Sequence, residues 1–247
     1  MRADADQNNS QYFDLHFHDH SYSEDPRAYD DFIDHVKKHF EGTEFSVLDV
    51  GCGKGTFLRR MNEAFPRWHL TGIDTSDNML ASTQQHVPDG QFYNMSAFEI
   101  DQLGRTFDIV HMGSLLHHLI GPTRKASMGI ALRMMELALS VTSRGGLVVI
   151  DEPRYESYLH TELTASIIFY SLKILNKLRI DVSQHFPEIQ LGLEVSFFSE
   201  RQLTKMSRRF VGNNFAVTRK NHWEIPVVYR LFLLKDLGSI RLVLHKV

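Results

Sequence analysis

Three glycines at alternate positions, Gly51, Gly53 and Gly55, follow a short apolar run that ends at Val50. A strand leading into such a turn and then into a helix lets the backbone approach a bound molecule, because glycine has no Cβ and takes positive φ angles. Amide groups at the start of the helix then point at the ligand. The pattern predicts a binding site, although a tight turn that binds nothing can carry the same glycines.

An acid closes the next predicted strand, since Asp74 follows Gly55 by 19 residues. A carboxylate there can accept two hydrogen bonds from ribose hydroxyls, as in nucleoside sites of doubly wound sheets. A nicotinamide fingerprint would have Gly or Ala at the position of Thr56 and would not require Asp49, two residues before the first glycine. The combination favours a nucleoside site of another kind.

The chain resembles the class I S-adenosylmethionine-dependent methyltransferases through VLDVGCGKG (47–55), Asp74 and FDIVHMGSLLHHL (107–119). The resemblance covers residues 45–153 and is to the small-molecule branch that includes quinone-biosynthesis methyltransferases. It implies S-adenosylmethionine as cofactor, S-adenosylhomocysteine as product and a small-molecule methyl acceptor. It implies these cofactor contacts: Asp49, Gly51, Cys52, Gly53 and Gly55 at the methionine part, Asp74 at the ribose, Thr75 and Met79 beside the adenine, Ser96 and Ala97 at its edge, and Met112 and Gly113 nearby. Many relatives have an acid where Ser96 stands.

Two adjacent histidines, His117 and His118, are the candidate catalytic residues. A histidine with a near-neutral pKa can remove a proton from an oxygen or nitrogen nucleophile. Alternatively, His117 packs against the sheet and His118 caps a helix or faces solvent. Cys52 could be a reactive thiol, but we favour a small side chain in a crowded turn.

Another histidine cluster, His16, His18 and His20, lies among aromatic residues near the amino terminus. Three readings remain open: an aromatic flap over the cofactor, a disordered tail and a metal site. We favour the flap, since loops often close active sites, and predict no metal, because no carboxylate or cysteine pattern with metal spacing accompanies the histidines.

The elements that must position these residues alternate along the chain. Apolar runs predict strands at 45–50, 70–73, 91–95, 107–112 and 146–150, and helical periodicity predicts helices at 26–40, 56–65, 76–86 and 124–141. Further strands are predicted at 215–219 and 240–245, after a helix at 199–210 with a Ser199–Gln202 capping box. Together with the resemblance, this predicts an α/β Rossmann-like three-layer sandwich. Its sheet is mostly parallel and seven-stranded, with an antiparallel C-terminal strand and a helical insertion after strand 5.

We divide the chain into an N-terminal flap and helix (1–44), a cofactor-binding core (45–153), a helical insertion acting as a substrate cap (154–198) and a C-terminal completion of the sheet (199–247). The insertion carries an apolar stripe: Leu163, Ile167, Tyr170, Ile174 and Leu178. With Tyr155, Tyr158 and Phe169 the stripe could roof a pocket for an apolar or aromatic acceptor. It could equally dock on the sheet or on a second copy in a homodimer.

The composition and charge of the chain argue against several classes of function. The 247 residues are 43% apolar with a formal charge of -3, but residues 1–44 carry 11 acids against 4 bases and residues 200–247 carry 3 against 10. The basic charges are interleaved with apolar residues, so we expect no nucleic-acid partner. A single cysteine and a polar start without a secretory signal predict a cytoplasmic protein. No apolar run approaches the ~18 residues of a membrane span, so we expect no integral membrane association.

Methyl transfer from a sulfonium is an in-line displacement in which the protein mainly aligns the groups and excludes water. The sequence therefore predicts a methyltransferase acting on a small apolar or aromatic molecule. Two alternatives are a catalytically silent S-adenosylmethionine-binding protein that organises a partner and, less favoured, an NAD(P)-dependent oxidoreductase.

Overall fold

The computed structural model describes residues 26–40, 44–160, 162–181, 192–210, 214–225 and 233–247. The aromatic and histidine cluster that we predict to form a flap lies outside these residues, so the structure does not bear on it.

One sheet is formed by β1 (Ser46–Val50), β2 (His69–Asp74), β3 (Gln91–Asn94), β4 (Phe107–Gly113), β5 (Thr142–Ser157), β6 (Asn214–His222) and β7 (Leu234–His245). The strand order is β3-β2-β1-β4-β5-β7-β6. Strands β1 to β5 pair in parallel, whereas β7 is antiparallel to both β5 and β6. The predicted fold class, with its antiparallel C-terminal strand, is confirmed.

Six helices are described: α1 (Asp30–His39), α2 (Thr56–Ala64), α3 (Asp77–His86), α4 (Arg124–Ser140), α5 (Leu163–Leu178) and α6 (Glu200–Ser207). Three short 3₁₀ helices cover Pro26–Tyr29, Ala97–Leu103 and Leu116–His118. The predicted capping box is present at α6, where Ser199 and Gln202 satisfy each other's backbone N–H groups. No helix in the described part of the chain is both long and apolar enough to span a bilayer.

Two buried clusters lie on opposite faces of the sheet. Successive strand residues point to opposite faces, so Val47 faces one cluster, whereas Leu48 and Val50 face the other. The first cluster packs under α1 and α2, the second under α4 and α6. The result is the predicted three-layer arrangement, which leaves the carboxyl edge of the parallel strands free for a ligand site.

Strand β5 differs most from its prediction. It spans Thr142–Ser157 rather than 146–150, because β7 pairs with it as far as Ser157. Residues 154–157, which we assigned to the insertion, therefore belong to the sheet, and β7 begins at Leu234 instead of Ile240. The division of the chain into four parts is otherwise not tested and stays a prediction.

Helix α5 does not dock its predicted stripe on the sheet. Its buried side chains include Ala165, Phe169 and Leu172, whereas Ile174 and Leu178 are about 60% exposed (59% and 60%). The exposed carboxyl-terminal half of the stripe thus does not pack on the sheet, although α5 itself contacts β5. A role of the stripe as a roof or as a contact with a second copy stays a prediction.

A cluster of three histidines joins α1 to β7. The ring centroids of His35 and His39 lie 5.7 Å and 5.2 Å from that of His245, and 6.0 Å from each other. Burial lowers the pKa of both His35 and His245. Repulsion by His39 lowers both values further, and Lys38 adds to the effect at His35.

We expect the folded chain to lose stability on acidification because of this cluster. A folded-state pKa below the unfolded value means that the unfolded chain binds more protons, so stability falls as pH drops below about 6.5. Urea unfolding at about pH 7.5 and about pH 5.5 measures the loss, which should be smaller in His245→Gln. An equal loss in both proteins would contradict the expectation.

Candidate active site

The turn after β1, which we call the glycine corner (51–55), has an unusual backbone. Gly51, Gly53 and Gly55 have φ angles of 71°, 52° and 78°, in a left-handed region that residues with a Cβ rarely adopt. The N–H groups of Gly51 and Cys52 donate to the carbonyl of Ile73 at 2.9 Å, which fixes the corner to β2. A Cβ at Gly53 would meet no atom within 4 Å. The corner thus presents backbone to open space.

Asp74, at the end of β2, reaches the glycine corner. One carboxylate oxygen accepts the N–H of Gly53 at 2.9 Å and the other accepts the N–H of Ser76 at 2.9 Å. Burial raises the pKa of Asp74, although these backbone N–H groups oppose the rise. The N–H of Thr75 also donates to Asp74, and a carboxylate has about four lone-pair sites, so Asp74 can accept a further hydrogen bond. The two features predicted to form one pocket are in direct contact.

Alanine substitutions should separate backbone strain from crowding at this corner. Gly53→Ala places a Cβ in open space at positive φ and should cost about 1–2 kcal/mol of unfolding free energy. Gly55→Ala adds a clash, because its Cβ would lie 2.5 Å from Thr83 Cγ2, and should cost about 3 kcal/mol. Urea unfolding measures both losses.

Gly129→Ala is the matched control, because Gly129 lies in α4 with no atom near its Cβ position. Alanine should be neutral or stabilising there, by up to about 1 kcal/mol. Equal losses at Gly53 and Gly55 would contradict the distinction between strain and crowding.

The residues predicted beside the adenine follow Asp74 in the chain. Thr75 is half-buried, and Met79 is buried in the first turn of α3. Ser76 caps that helix by accepting the N–H of Met79 at 3.2 Å. The start of α3 is therefore fixed next to the carboxylate of Asp74.

Ser96 and Ala97 lie at the same edge of the sheet. The N–H of Met95 donates to the carbonyl of Asp74 at 3.1 Å, which brings the following residues alongside β2. The Ser96 hydroxyl accepts from Phe98, and Glu99 accepts the N–H of Ser96, so these two residues form a capping box. Ser96 thus has a structural role that the sequence analysis did not assign.

Asp49 is joined to a histidine that we did not single out. His111 in β4 contacts Asp49 through Nδ1 at 2.7 Å and Asp151 through Nε2 at 3.1 Å. Burial by itself would lower the pKa of His111, but the charges and hydrogen bonds of the two carboxylates raise it to about 9. His111 is therefore a cation at neutral pH and balances the charge of Asp49 beneath the corner.

The same network extends to α1. Arg241 donates from Nε to both oxygens of Asp151 at 2.8 Å and 3.0 Å, and its terminal nitrogens reach Asp31 and the carbonyl of Ala28 at 3.1 Å. Burial raises the pKa of Asp151, but Arg241 and His111 more than reverse this, so the net shift is downward. A continuous set of charges thus connects the glycine corner with the N-terminal helix.

Two other predicted cofactor residues, Met112 and Cys52, have buried side chains, and Gly113 is half-buried. The Met112 side chain is fully buried in the core and Cys52 is 7% exposed. Gly113 leaves room for His111, whose Cε1 would lie 2.7 Å from a Cβ at that position. Any contact of Met112 with a ligand would have to be made by its backbone. Burial raises the pKa of the Cys52 thiol well above its usual range, which favours the packing role.

His117 is buried and paired. Its Nδ1 lies 2.8 Å from Glu152 Oε2, while Glu152 Oε1 accepts the N–H of Leu116 at 2.6 Å. Burial lowers the pKa of His117 to about 3 and raises that of Glu152 to about 8. The imidazole is thus neutral, and any proton it accepts has to be shared with the carboxyl group.

An aromatic stack surrounds this pair. The ring centroid of His117 lies 4.1 Å from that of His118 and 5.2 Å from that of Phe197, which in turn stacks on Tyr155 at 4.0 Å. We call these four residues the aromatic wall. Both candidate histidines therefore lie together, directly after β4.

Comparison with known proteins adds to this geometry. A family profile described as a methyltransferase domain matches residues 48–138. Residues 48–138 form a methyltransferase domain. The matched part includes the glycine corner, Asp74, His111 and both candidate histidines, but not Asp151, Glu152 or Arg241.

Curated relatives align over short stretches of this domain. Malonyl-[acyl-carrier protein] O-methyltransferase of Bacillus anthracis is 30% identical over 76 residues, 30% of this chain and 28% of that protein. Trans-aconitate 2-methyltransferase of Klebsiella pneumoniae (strain 342) is 46% identical over 46 residues, 19% of this chain and 18% of that protein. The chain thus aligns with less than a third of the length of these relatives.

Solved structures match over nearly the full chain. The magnesium protoporphyrin IX methyltransferase of Synechocystis PCC 6803 with bound SAH has a TM-score of 0.58 at 14% identity, covering 97% of this chain and 99% of that one. The plantazolicin methyltransferase BpumL in complex with a monoazolic desmethylPZN analog and SAH has a TM-score of 0.61 at 13% identity, covering 98% of this chain and 95% of that one. At these identities the likeness establishes the methyltransferase fold alone.

Sequence reasoning missed four titratable residues next to the predicted site: His111, Asp151, Glu152 and Arg241. Two adjacent acids directly after the apolar run 146–150 were a usable signal, because ligands collect at the carboxyl edge of parallel strands. His111, a histidine inside the apolar strand 107–112, was a second usable signal. Within the described ranges no cluster of histidine, cysteine and carboxylate side chains is arranged to hold a metal ion.

Proposed function

We propose that the chain binds S-adenosylmethionine at the glycine corner and transfers its methyl group to a small-molecule acceptor. The contact between Gly53 and Asp74, at 2.9 Å, carries the proposal. Exposed glycine backbone and a carboxylate that can accept a further hydrogen bond thus lie together at one open edge of the sheet. That is the combination a nucleoside with an amino-acid tail requires.

The chain's own residues fit this cofactor. Asp74 would accept the ribose hydroxyls, and the open side of Gly53 would admit the amino-acid part. Asp49, held by His111, would give that end of the pocket a fixed carboxylate. The bound sulfonium supplies the methyl group, and the rigid corner aligns it for in-line displacement.

His117 and Glu152 would act together as the proton acceptor. His117 alone is a weak base, because burial lowers its pKa to about 3. A proton taken at Nε2 can be balanced by passing the Nδ1 proton to Glu152, whose pKa is about 8. Only the ionised carboxyl group can take that proton, so kcat/KM should rise as pH increases through about 8.

The aromatic wall supports an apolar or aromatic acceptor. Flat rings bind flat or apolar molecules through offset stacking and edge contacts. Tyr155 and Phe197 are half-buried beside His117, so they could bring an acceptor next to the proposed base. A panel of lipophilic and polar acceptors tests this, and a preference for polar acceptors alone would count against it.

Calorimetry and a transfer assay test the proposed function. S-adenosylhomocysteine should bind to the full chain, NAD should not, and radioactive methyl from the cofactor should appear in an acceptor from the panel. NAD binding instead would support an oxidoreductase. Cofactor binding with no transfer to any acceptor would support the catalytically silent alternative.

The proton acceptor has its own test. Glu152→Gln keeps an oxygen for the N–H of Leu116 but cannot take a proton, so kcat should fall about 10²-fold or more and the rise near pH 8 should disappear. Glu136→Gln, on the exposed side of α4, is the control. An unchanged pH profile in Glu152→Gln, with intact cofactor affinity, would end the candidacy of the pair.

A further inference from the structure

A cleft of about 700 Å³ lies between α6 and the ends of β5 and β7, and we call it the basic cleft. Its lining includes five cationic side chains: Arg154, Arg201, Lys205, Arg208 and Lys235. It shares no residue with the glycine corner, Asp74 or the His117–Glu152 pair. It is therefore separate from the proposed methyl-transfer site.

The carboxylates in the lining are already engaged. Asp236 accepts from Arg154 at 2.6 Å and contacts His222 Nδ1 at 2.9 Å. Glu200 pairs with Lys220, and Glu156 accepts the backbone N–H of Glu200 at 2.8 Å. The lining therefore has five cationic side chains against three acidic ones, a formal excess of two positive charges.

Four of the cations, Arg201, Lys205, Arg208 and Lys235, have no carboxylate partner among the described residues. Arg201, Lys205 and Arg208 are spaced at four and three residues along and just after α6, so they lie on one side of it. Arg154, at the base, is only 2% exposed, and its Nε is buried without an acceptor among the described residues. An excess of cations, four of them outside any ion pair with a described residue, favours an anionic ligand.

We propose that the basic cleft binds the phosphate group of a small molecule. Guanidinium groups pair with phosphate oxygens through two parallel hydrogen bonds, and lysines add charge. Thr204, which also lines the cleft, offers a hydroxyl. The volume suits a small molecule, whose pockets measure about 300–1,000 Å³. A protein partner would need a broader surface, about 800 Å² on each side.

Calorimetry of the full chain at low salt tests the proposal, with inorganic pyrophosphate and glycerol 3-phosphate as separate probes. We expect saturable binding of at least one probe, weakened about tenfold in Lys205→Gln and in Arg208→Gln. Tighter binding of glycerol 3-phosphate would identify an organic phosphate ester as the ligand, and tighter binding of pyrophosphate would identify an inorganic anion.

Arg133→Gln is the control, because it removes an equal charge from the exposed side of α4, outside the cleft. An equal loss in Arg133→Gln and Arg208→Gln would overturn the proposal, since the effect would be general electrostatics. Absence of binding by both probes would also overturn it. Binding of polyglutamate with no binding of either phosphate probe would assign the cleft to an acidic protein and overturn it as well.

Discussion

Asp74→Ala is expected to weaken the binding of S-adenosylhomocysteine to this chain by at least about a hundredfold. The substitution removes an acceptor for two ribose hydroxyls, and hydrogen bonds to a charged group are worth about 1.5–3 kcal/mol each. It also releases the N–H of Gly53, which Asp74 holds at 2.9 Å, so the glycine corner loses its fixed shape. The combined loss corresponds to at least about a hundredfold in affinity, measurable by calorimetry.

A structural effect of the substitution has to be distinguished from a lost contact. Asp74→Asn keeps the side-chain volume and one carbonyl acceptor, so it should fold and still bind at least about tenfold more weakly. Asp89→Ala removes an exposed acid and should leave affinity unchanged. Wild-type affinity in a folded Asp74→Ala variant would refute the assignment of the ribose site.

Arg241→Met should produce the largest loss of stability among the substitutions considered. Arg241 is 3% exposed and holds Asp151, Asp31 and the carbonyl of Ala28. Methionine fills similar space but leaves the carboxylate of Asp151 with one charged partner, His111. Removal of one member of a buried ion pair costs about 3–5 kcal/mol, measurable by urea unfolding.

Two further variants test whether the unpaired carboxylate of Asp151 causes the loss of stability in Arg241→Met. Asp151→Asn combined with Arg241→Met removes both charges and should recover part of the stability, because no unpaired carboxylate remains. Arg133→Met on the exposed side of α4 should change stability by less than about 0.5 kcal/mol. A loss below about 1 kcal/mol in Arg241→Met would show that the network does not anchor α1.

The fold and the corner were predictable because their signals are local. Each signal lies within a single turn or strand of the sequence. The signals are the apolar runs of strand length, the glycines at 51, 53 and 55 and the acid at 74. Each can be interpreted without knowing what packs above it. The bounds of β1 to β4 differ from prediction by at most one residue at each end for the same reason.

The charge network was not predictable because its members are far apart in sequence. His111 follows Asp49 by 62 residues and Arg241 follows Asp151 by 90, so no periodicity connects them. The length of β5 depends on its pairing with β7, which only the tertiary structure provides. The face of α5 that is buried also depends on its neighbours, and hydrophobicity alone left several positions for the apolar stripe open.

Cys52 gives this chain an intrinsic reporter. It is the only cysteine in the sequence, it lies within the glycine corner, and its burial keeps the reactive thiolate scarce. A soluble disulfide reagent can modify it only when the turn opens, so the labelling rate measures the free energy of that local opening. Any molecule that holds the turn closed should slow the labelling, even when its chemistry is unknown.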